Sequence, residues 1–168
     1  MSKLFVDDIV EKTSGHGVSI PGHVVQAVQF LRAGGLATSV TGVNVVLNSS
    51  SFVDVMSKAI TTKFLNSQIY VALSIVAYDG TAAARASTKL LRNSTQINAD
   101  EYGIYCDQSN MQPYQVFMLD EPNVAAGTVL TYKLQAARMT GSSSGLSIGY
   151  GDSGGGTSAS IVLMEIAQ

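Results

Sequence analysis

Tryptophan is absent from this chain of 168 residues, and cysteine occurs once, at Cys106. A single cysteine closes no intrachain disulfide, and no His or Cys beside it completes a zinc site, so neither staple is expected. Cys106 itself is expected as a small buried hydrophobe. Aromatics make up only 7% of the chain, which disfavours a glycan cleft walled by stacking rings. Charge is scarce as well: 13% of residues are charged, with ten Lys and Arg against twelve Asp and Glu. The basic residues are scattered singly, whereas binding a phosphate backbone needs a concentrated cationic face, so no nucleic-acid partner is expected. No apolar run approaches the ~20 residues of a membrane span. Met1-Ser2-Lys3 is followed too soon by Asp7 and Asp8 for a signal peptide. The expectation is a soluble protein made in the cytoplasm, without membrane insertion and without a cofactor.

What is present is apolar. Hydrophobic residues reach 46%, and so little charge leaves a solitary globule short of side chains to face water, so part of the surface is expected to be covered by partners. The length suits one domain, which at this size can bury roughly 70% of the surface its unfolded chain exposes.

The apolar runs are short, β-branched and separated by Gly, Ser, Asn and Thr, the pattern of an all-β domain. Thr128 to Ala136 alternates Leu130, Tyr132, Leu134 and Ala136 with Thr131, Lys133 and Gln135, placing one face on a core and the other in water. Ile69 to Tyr78 is apolar on both faces and is expected as a central strand, with Asp79-Gly80 as the turn after it. Val40 to Leu47 and Phe52 to Met56 suggest a hairpin around the polar turn Asn48 to Ser51. Val116 to Leu119 is a strand stopped by Pro122, and Ser160 to Ile166 is a last strand, apolar on both faces except at Glu165. Thr81 to Leu91 carries alanines of high helix propensity, yet Thr88 to Leu91, Arg92 to Thr95 and Gln96-Ile97 read in preference as strand, turn, strand. The Gly and Ser tracts 141–145 and 149–156 are expected as loops. Residues 1–23 stand apart as an arm, with apolar Leu4, Phe5, Val6 and Ile9 as its docking side chains and Ile20-Pro21-Gly22 turning into a sandwich domain over 24–168.

Gly151-Asp152-Ser153-Gly154-Gly155 matches the nucleophile segment of chymotrypsin-like serine proteases. That chemistry needs a His held against Ser153 and oriented by a buried carboxylate. His16 and His23 both lie in or beside the glycine-containing arm and lack the neighbours of such a His. A chain with 16 glycines and many serines also yields such strings by chance, so no catalytic residue is expected and a serine hydrolase through Ser153 is kept only as a remote alternative. His16 and His23 lack carboxylate or Cys company and are expected as plain polar residues, with no metal. Asp7-Asp8 and Asp120-Glu121 are adjacent pairs that point to opposite strand faces, unsuited to joint acid-base work.

Leu4-Phe5-Val6-Asp7-Asp8-Ile9 with Gly17-Val18-Ser19-Ile20-Pro21-Gly22-His23-Val24-Val25-Gln26 resembles the opening of short virion proteins of tailed phages. Thr131 to Ala136, a Gly and Ser loop, and Ser160 to Ile166 resemble the end of a jelly roll similar to the tumour-necrosis-factor head. Together these stretches cover about a third of the chain. The resemblance implies a jelly-roll β-sandwich and a homotrimer, with Tyr132, Leu134, Ile161, Leu163 and Ile166 near the three-fold axis, and it brings no catalytic residues. It further implies a place on the virion surface, as a capsid decoration or cement protein whose arm meets the major capsid protein. The alternative is a receptor-binding tip of a tail or head fibre, partnered by a tail or fibre component, with Asp107, Asn110, Tyr150 and Asp152 on loops that meet a host surface receptor.

Overall fold

The computed structural model describes residues 20–32, 45–78, 84–98, 102–106, 111–139, 146–148, 151–152, 155–156 and 159–168. In chain order the strands are β1 (Val24–Arg32), β2 (Val45–Leu47), β3 (Val53–Thr61), β4 (Gln68–Tyr78), β5 (Ala84–Arg92), β6 (Thr95–Gln96), β7 (Tyr102–Cys106), β8 (Met111–Asp120), β9 (Val129–Arg138), β10 (Leu146–Ile148), β11 (Gly151–Asp152), β12 (Gly155–Gly156) and β13 (Ala159–Ile166).

They build two antiparallel sheets. One runs β1-β13-β4-β8, with β10 and β2 extending it beside the far end of β4; the other runs β3-β9-β5-β7, with β6 at the end of β5. The steps β3 to β4, β4 to β5, β7 to β8 and β8 to β9 each cross from one sheet to the other, which is the winding of a jelly roll. The all-β sandwich expected from the apolar pattern is therefore the fold.

The core follows from period 2. Ile69, Val71, Leu73, Ile75 and Ala77 of β4 and Ile161 and Leu163 of β13 point between the sheets and are fully buried. They meet Leu130, Tyr132, Leu134 and Ala136 of β9, Leu90 of β5, and Met56 and Ile60 of β3. Cys106 is buried among them, as its type suggested. Truncating such a side chain to Ala costs about 2 to 5 kcal/mol, since the cavity left behind only partly collapses.

The strand, turn, strand reading of 88–97 holds: Leu91 pairs with Gln96 and Arg92 with Thr95, and Asn93 takes φ 55° in the turn between them. Pro113 lies within β8, which is tolerable because β8 is an edge strand whose missing amide proton costs no ladder bond on its open side. The hairpin expected between 40–47 and 52–56 is not formed. β2 pairs with β10 in one sheet and β3 with β9 in the other, so Asn48 to Phe52 crosses the sandwich instead of turning a hairpin. The tract 149–156, expected as a plain loop, contains a small ribbon in which Gly151 pairs with Gly156 and Asp152 with Gly155. Residues 1–19, the turn Asp79-Gly80 and residues 40–44 lie outside the described residues.

Candidate functional site

The sandwich has two distinct poles. At one, β1 begins beside the end of β13: the amide of Gly22 donates to Ala167 O at 2.8 Å and the amide of Ala167 to His23 O at 3.0 Å. Gly22 takes φ 80°, which lets Ile20 to His23 turn tightly, with the His23 amide donating to Ile20 O at 2.9 Å. The arm 1–19 therefore joins the domain here, beside the last strand. The same pole holds the segments 62–67 and 121–128 that link the sheets.

A buried carboxylate organises this pole. Glu165, the one acidic exception in the last strand, is fully buried on β13. Its Oε1 accepts from the Lys63 amide at 2.8 Å, the Phe64 amide at 3.0 Å and Ser67 Oγ at 2.7 Å. Its Oε2 accepts from Gln26 Nε2 at 2.5 Å. The charge thus replaces water with amide and hydroxyl donors and pins the 62–67 segment to the opposite sheet's end. Beside it, between edge strands β1 and β3, opens a cleft of about 520 Å³ with Val28, Ala59 and Ile60 on its apolar wall and Gln26, Thr61 and Lys63 around it.

A second buried network ties the sheets together across the core. Asp120 on β8 accepts from Tyr132 Oη on β9 at 2.6 Å and from Arg92 Nη1 on β5 at 2.8 and 2.9 Å. Burial, reinforced by the carboxylate beside it, pushes the Tyr132 phenol above its ordinary range. Thr88 Oγ1 and Tyr114 Oη, 2.7 Å apart, make a further bond between the sheets.

At the opposite pole lie Arg32, Tyr78, Ala84, Cys106, Met111, Arg138 and Ala159, the other ends of the same strands, together with the β2 and β10 extension. The connection 107–110 leaves Cys106 and returns at Met111, and 149–158 runs from Ile148 to Ala159. Both are therefore anchored at this pole, away from the arm.

The two outer faces of the sandwich differ in kind. On the β3-β9-β5-β7 side, Lys133 Nζ bonds Asp54 Oδ2 at 2.8 Å and Gln135 Nε2 bonds Asp54 Oδ1 at 2.7 Å. These hydrogen bonds, Lys133 foremost, hold the Asp54 carboxyl below its usual range. Lys89 sits over the Phe52 ring at 3.8 Å and Arg85 over Tyr105 at 5.4 Å. Such exposed pairs add little stability, but they mark a face that lives in water. On the β1-β13-β4-β8 side the cross-strand rows are Ala27–Met164–Tyr70–Leu119, then Gln29–Val162–Ala72–Phe117, then Ser160–Ser74–Gln115, then Val76–Pro113. The extension adds Val46–Ser147–Tyr78–Met111. No charged side chain stands on these rows; the next row, at the arm end, pairs Ile166 with Gln68, whose Nε2 donates to the exposed Glu121 Oε1 at 2.6 Å.

Of the side chains expected at a subunit interface, Tyr132, Leu134, Ile161 and Leu163 are fully buried inside the protomer, so they belong to its own core and cannot reach a neighbour. Alternation is the reason: in β13 it is Ser160, Val162, Met164 and Ile166 that face out, so Ile166 alone of the five is on an outer face. Asp152 lies in the β11-β12 ribbon. Leu4, Phe5, Val6, Ile9, His16, Asp107, Asn110, Tyr150 and Ser153 lie outside the described residues. His23 is exposed where the chain turns into β1. Among the described residues no group of His, Cys, Asp or Glu is placed to hold a metal ion, and no helix is long and apolar enough to cross a membrane. The Glu165 and Asp120 networks escape sequence reading because their partners lie 98 to 139 and 12 to 28 residues away. The uncharged face was legible in part, through the two-sided apolar character of Ile69 to Tyr78.

No protein-family model and no curated protein matches this sequence. Among solved structures, the VP2 subviral particle of infectious bursal disease virus is similar with a TM-score of 0.47 and 10% identity, covering 95% of this chain and 37% of that one. The T13 particle of the same virus gives a TM-score of 0.49 and 7% identity over 95% of this chain and 40% of that one. Dimeric latent PorU from Porphyromonas gingivalis gives 0.42 and 15% over 94% of this chain and 14% of that one. The chain thus spans at most two fifths of each of these larger chains.

Proposed function

We propose that this chain is a non-enzymatic virion structural protein, a homotrimeric decoration or cement protein on the outside of a phage particle, with the arm 1–23 docking onto the major capsid protein. The observation that carries this reading is the separation of the two poles. The arm joins the domain beside the C-terminal strand, and the connections 107–110 and 149–158 are anchored at the far end. A protein that grips a particle by one end and presents the other to solvent needs this layout. The resemblance of 4–9 and 17–26 to phage virion proteins supports the same reading.

The experiment is deletion of residues 2–19, which spares the Ile20 to His23 turn. The shortened chain is expected to keep its oligomeric mass and to lose binding to particles stripped of the protein, by at least about 100-fold, as loss of several buried apolar anchors implies. Undiminished particle binding contradicts the arm's role. The fibre-tip alternative uses the same two poles, with the loop pole meeting a host receptor; purified protein that blocks phage adsorption would favour it. Hydrolysis of a peptide ester that disappears in Ser153→Ala would contradict the non-enzymatic reading.

A further inference from the structure

We infer that in the free protein the arm is held by its own domain, with the segment Leu4 to Val10 lying in the cleft between edge strands β1 and β3. The inference goes beyond the particle reading and does not depend on it; under that reading the cleft and the capsid compete for the same side chains.

The arm enters beside the cleft. Gln26, the first residue of β1 to line it, stands three residues after the Ile20 to His23 turn, a span of about 10 Å. That turn is closed by the His23 amide on Ile20 O, with Gly22 at φ 80°, and a closed β-turn reverses the chain. The residues before Ile20 are thus delivered back toward the domain, and only the stretch 11–19 separates Ile20 from the apolar segment. A segment tethered this closely meets the cleft at an effective concentration on the order of millimolar, well above that of a separate partner in dilute solution.

The cleft suits an extended segment. Among the described strands β1 pairs with β13 alone and β3 with β9 alone, so both line the gap with a free edge. Open edges in native proteins are guarded by charge or proline, as Pro113 guards β8. From Val24 to Leu31 β1 carries neither, and its one bulge, between Val24 and Gln26, leaves the rest of the edge regular. The volume of about 520 Å³ is that of a site which encloses several side chains' bulk of ligand. Leu4-Phe5-Val6 and Ile9-Val10 supply apolar side chains to meet Val28, Ala59 and Ile60.

Charge selects the segment. Of the residues that line the cleft, Lys63 alone is charged. Lys58, opposite Tyr132 in the β3-β9 register, adds a second cation on the inner parity of β3. The carboxylate nearby, Glu165, has both oxygens engaged by Gln26, Ser67 and the amides of Lys63 and Phe64. A cationic cleft with an apolar wall fits an anionic apolar segment, and Leu4 to Val10, with Asp7 and Asp8 inside it and no basic residue, is one.

Hydrogen exchange of the full chain, read by mass spectrometry over residues 4–10, tests this against a synthetic peptide of residues 1–19. These amides are expected to exchange at least about ten-fold more slowly in the protein than in the peptide, as those of a segment held by a folded domain do. Ala59→Glu, at an exposed position on the cleft wall, sets a carboxylate against Asp7 and Asp8 and is expected to bring exchange to within about two-fold of the peptide. The double variant Asp7→Asn with Asp8→Asn lies outside the sandwich and is expected to speed exchange by about three-fold; it is read alone should far-UV circular dichroism show that Ala59→Glu does not fold. Wild-type exchange as fast as the peptide's overturns the inference, and slow exchange unchanged in every variant that folds overturns the cleft as the place. Sedimentation equilibrium should give Ala59→Glu the wild-type mass. A fall in mass would show that arms bridge copies, which overturns holding by the chain's own domain.

Discussion

Glu165→Leu is expected to cost about 3 to 5 kcal/mol of folding free energy, as much as emptying a large core position. Leu fills the space but accepts nothing, so the part-buried amides of Lys63 and Phe64 and the buried hydroxyl of Ser67 lose their acceptor. Each buried donor left without a partner costs about 1 to 3 kcal/mol. Against a total stability of about 5 to 15 kcal/mol, that takes a large share. Glu165→Gln keeps the shape and one acceptor oxygen, and its loss should be about 1 to 2 kcal/mol. Urea denaturation of both variants checks the order. Equal midpoints for wild type and Glu165→Leu would show that the 62–67 segment is held by something else.

The second large effect belongs to Asp120. Asp120→Ala strands the Arg92 guanidinium and the Tyr132 hydroxyl at the junction of both sheets and is expected to cost about 3 kcal/mol, in the range for removing one partner of a buried pair. Tyr132→Phe removes one bond and should cost about 1 kcal/mol. The same phenol sets an alkaline limit. Its folded pKa is raised above the unfolded value of about 10, so its contribution is fully present below pH 10 and is lost as pH rises beyond it. Denaturant midpoints measured between pH 8 and 11 should fall more steeply for wild type than for Tyr132→Phe. Parallel curves would mean that Tyr132 ionises as freely when folded as when unfolded.

These two networks also mark where sequence reading stops. The alternation in Thr128 to Ala136 and in Ile69 to Tyr78 names which residues face the core, because the side-chain period of a strand is fixed at 2. The turn at Asn93 was legible for a similar reason, since short polar residues tolerate the left-handed backbone it needs. Pairing between strands carries no such local signal. The short segment Asn48 to Ser51 looks the same whether it turns a hairpin or crosses to the other sheet, and only the partners β9 and β10 decide. The surface left for assembly escapes the sequence for a related reason. The resemblance puts Tyr132, Leu134, Ile161 and Leu163 near a three-fold axis, but an apolar side chain on a strand serves the protomer's own second sheet first, and these four are spent there. Once that sheet is placed, the opposite parity, Val162 and Met164 with Phe117 and Leu119, is left facing out.

Electron cryomicroscopy of the particle that carries this chain tests the whole account most directly. The expected density is a three-fold cluster of sandwiches standing on the outer shell, with the end formed by Ile20 to His23 and Ala167 against the capsid and the 107–110 and 149–158 connections facing solvent. Density confined to the tail tip would contradict the decoration role, and sandwiches with the arm end pointing outward would contradict the docking arrangement itself.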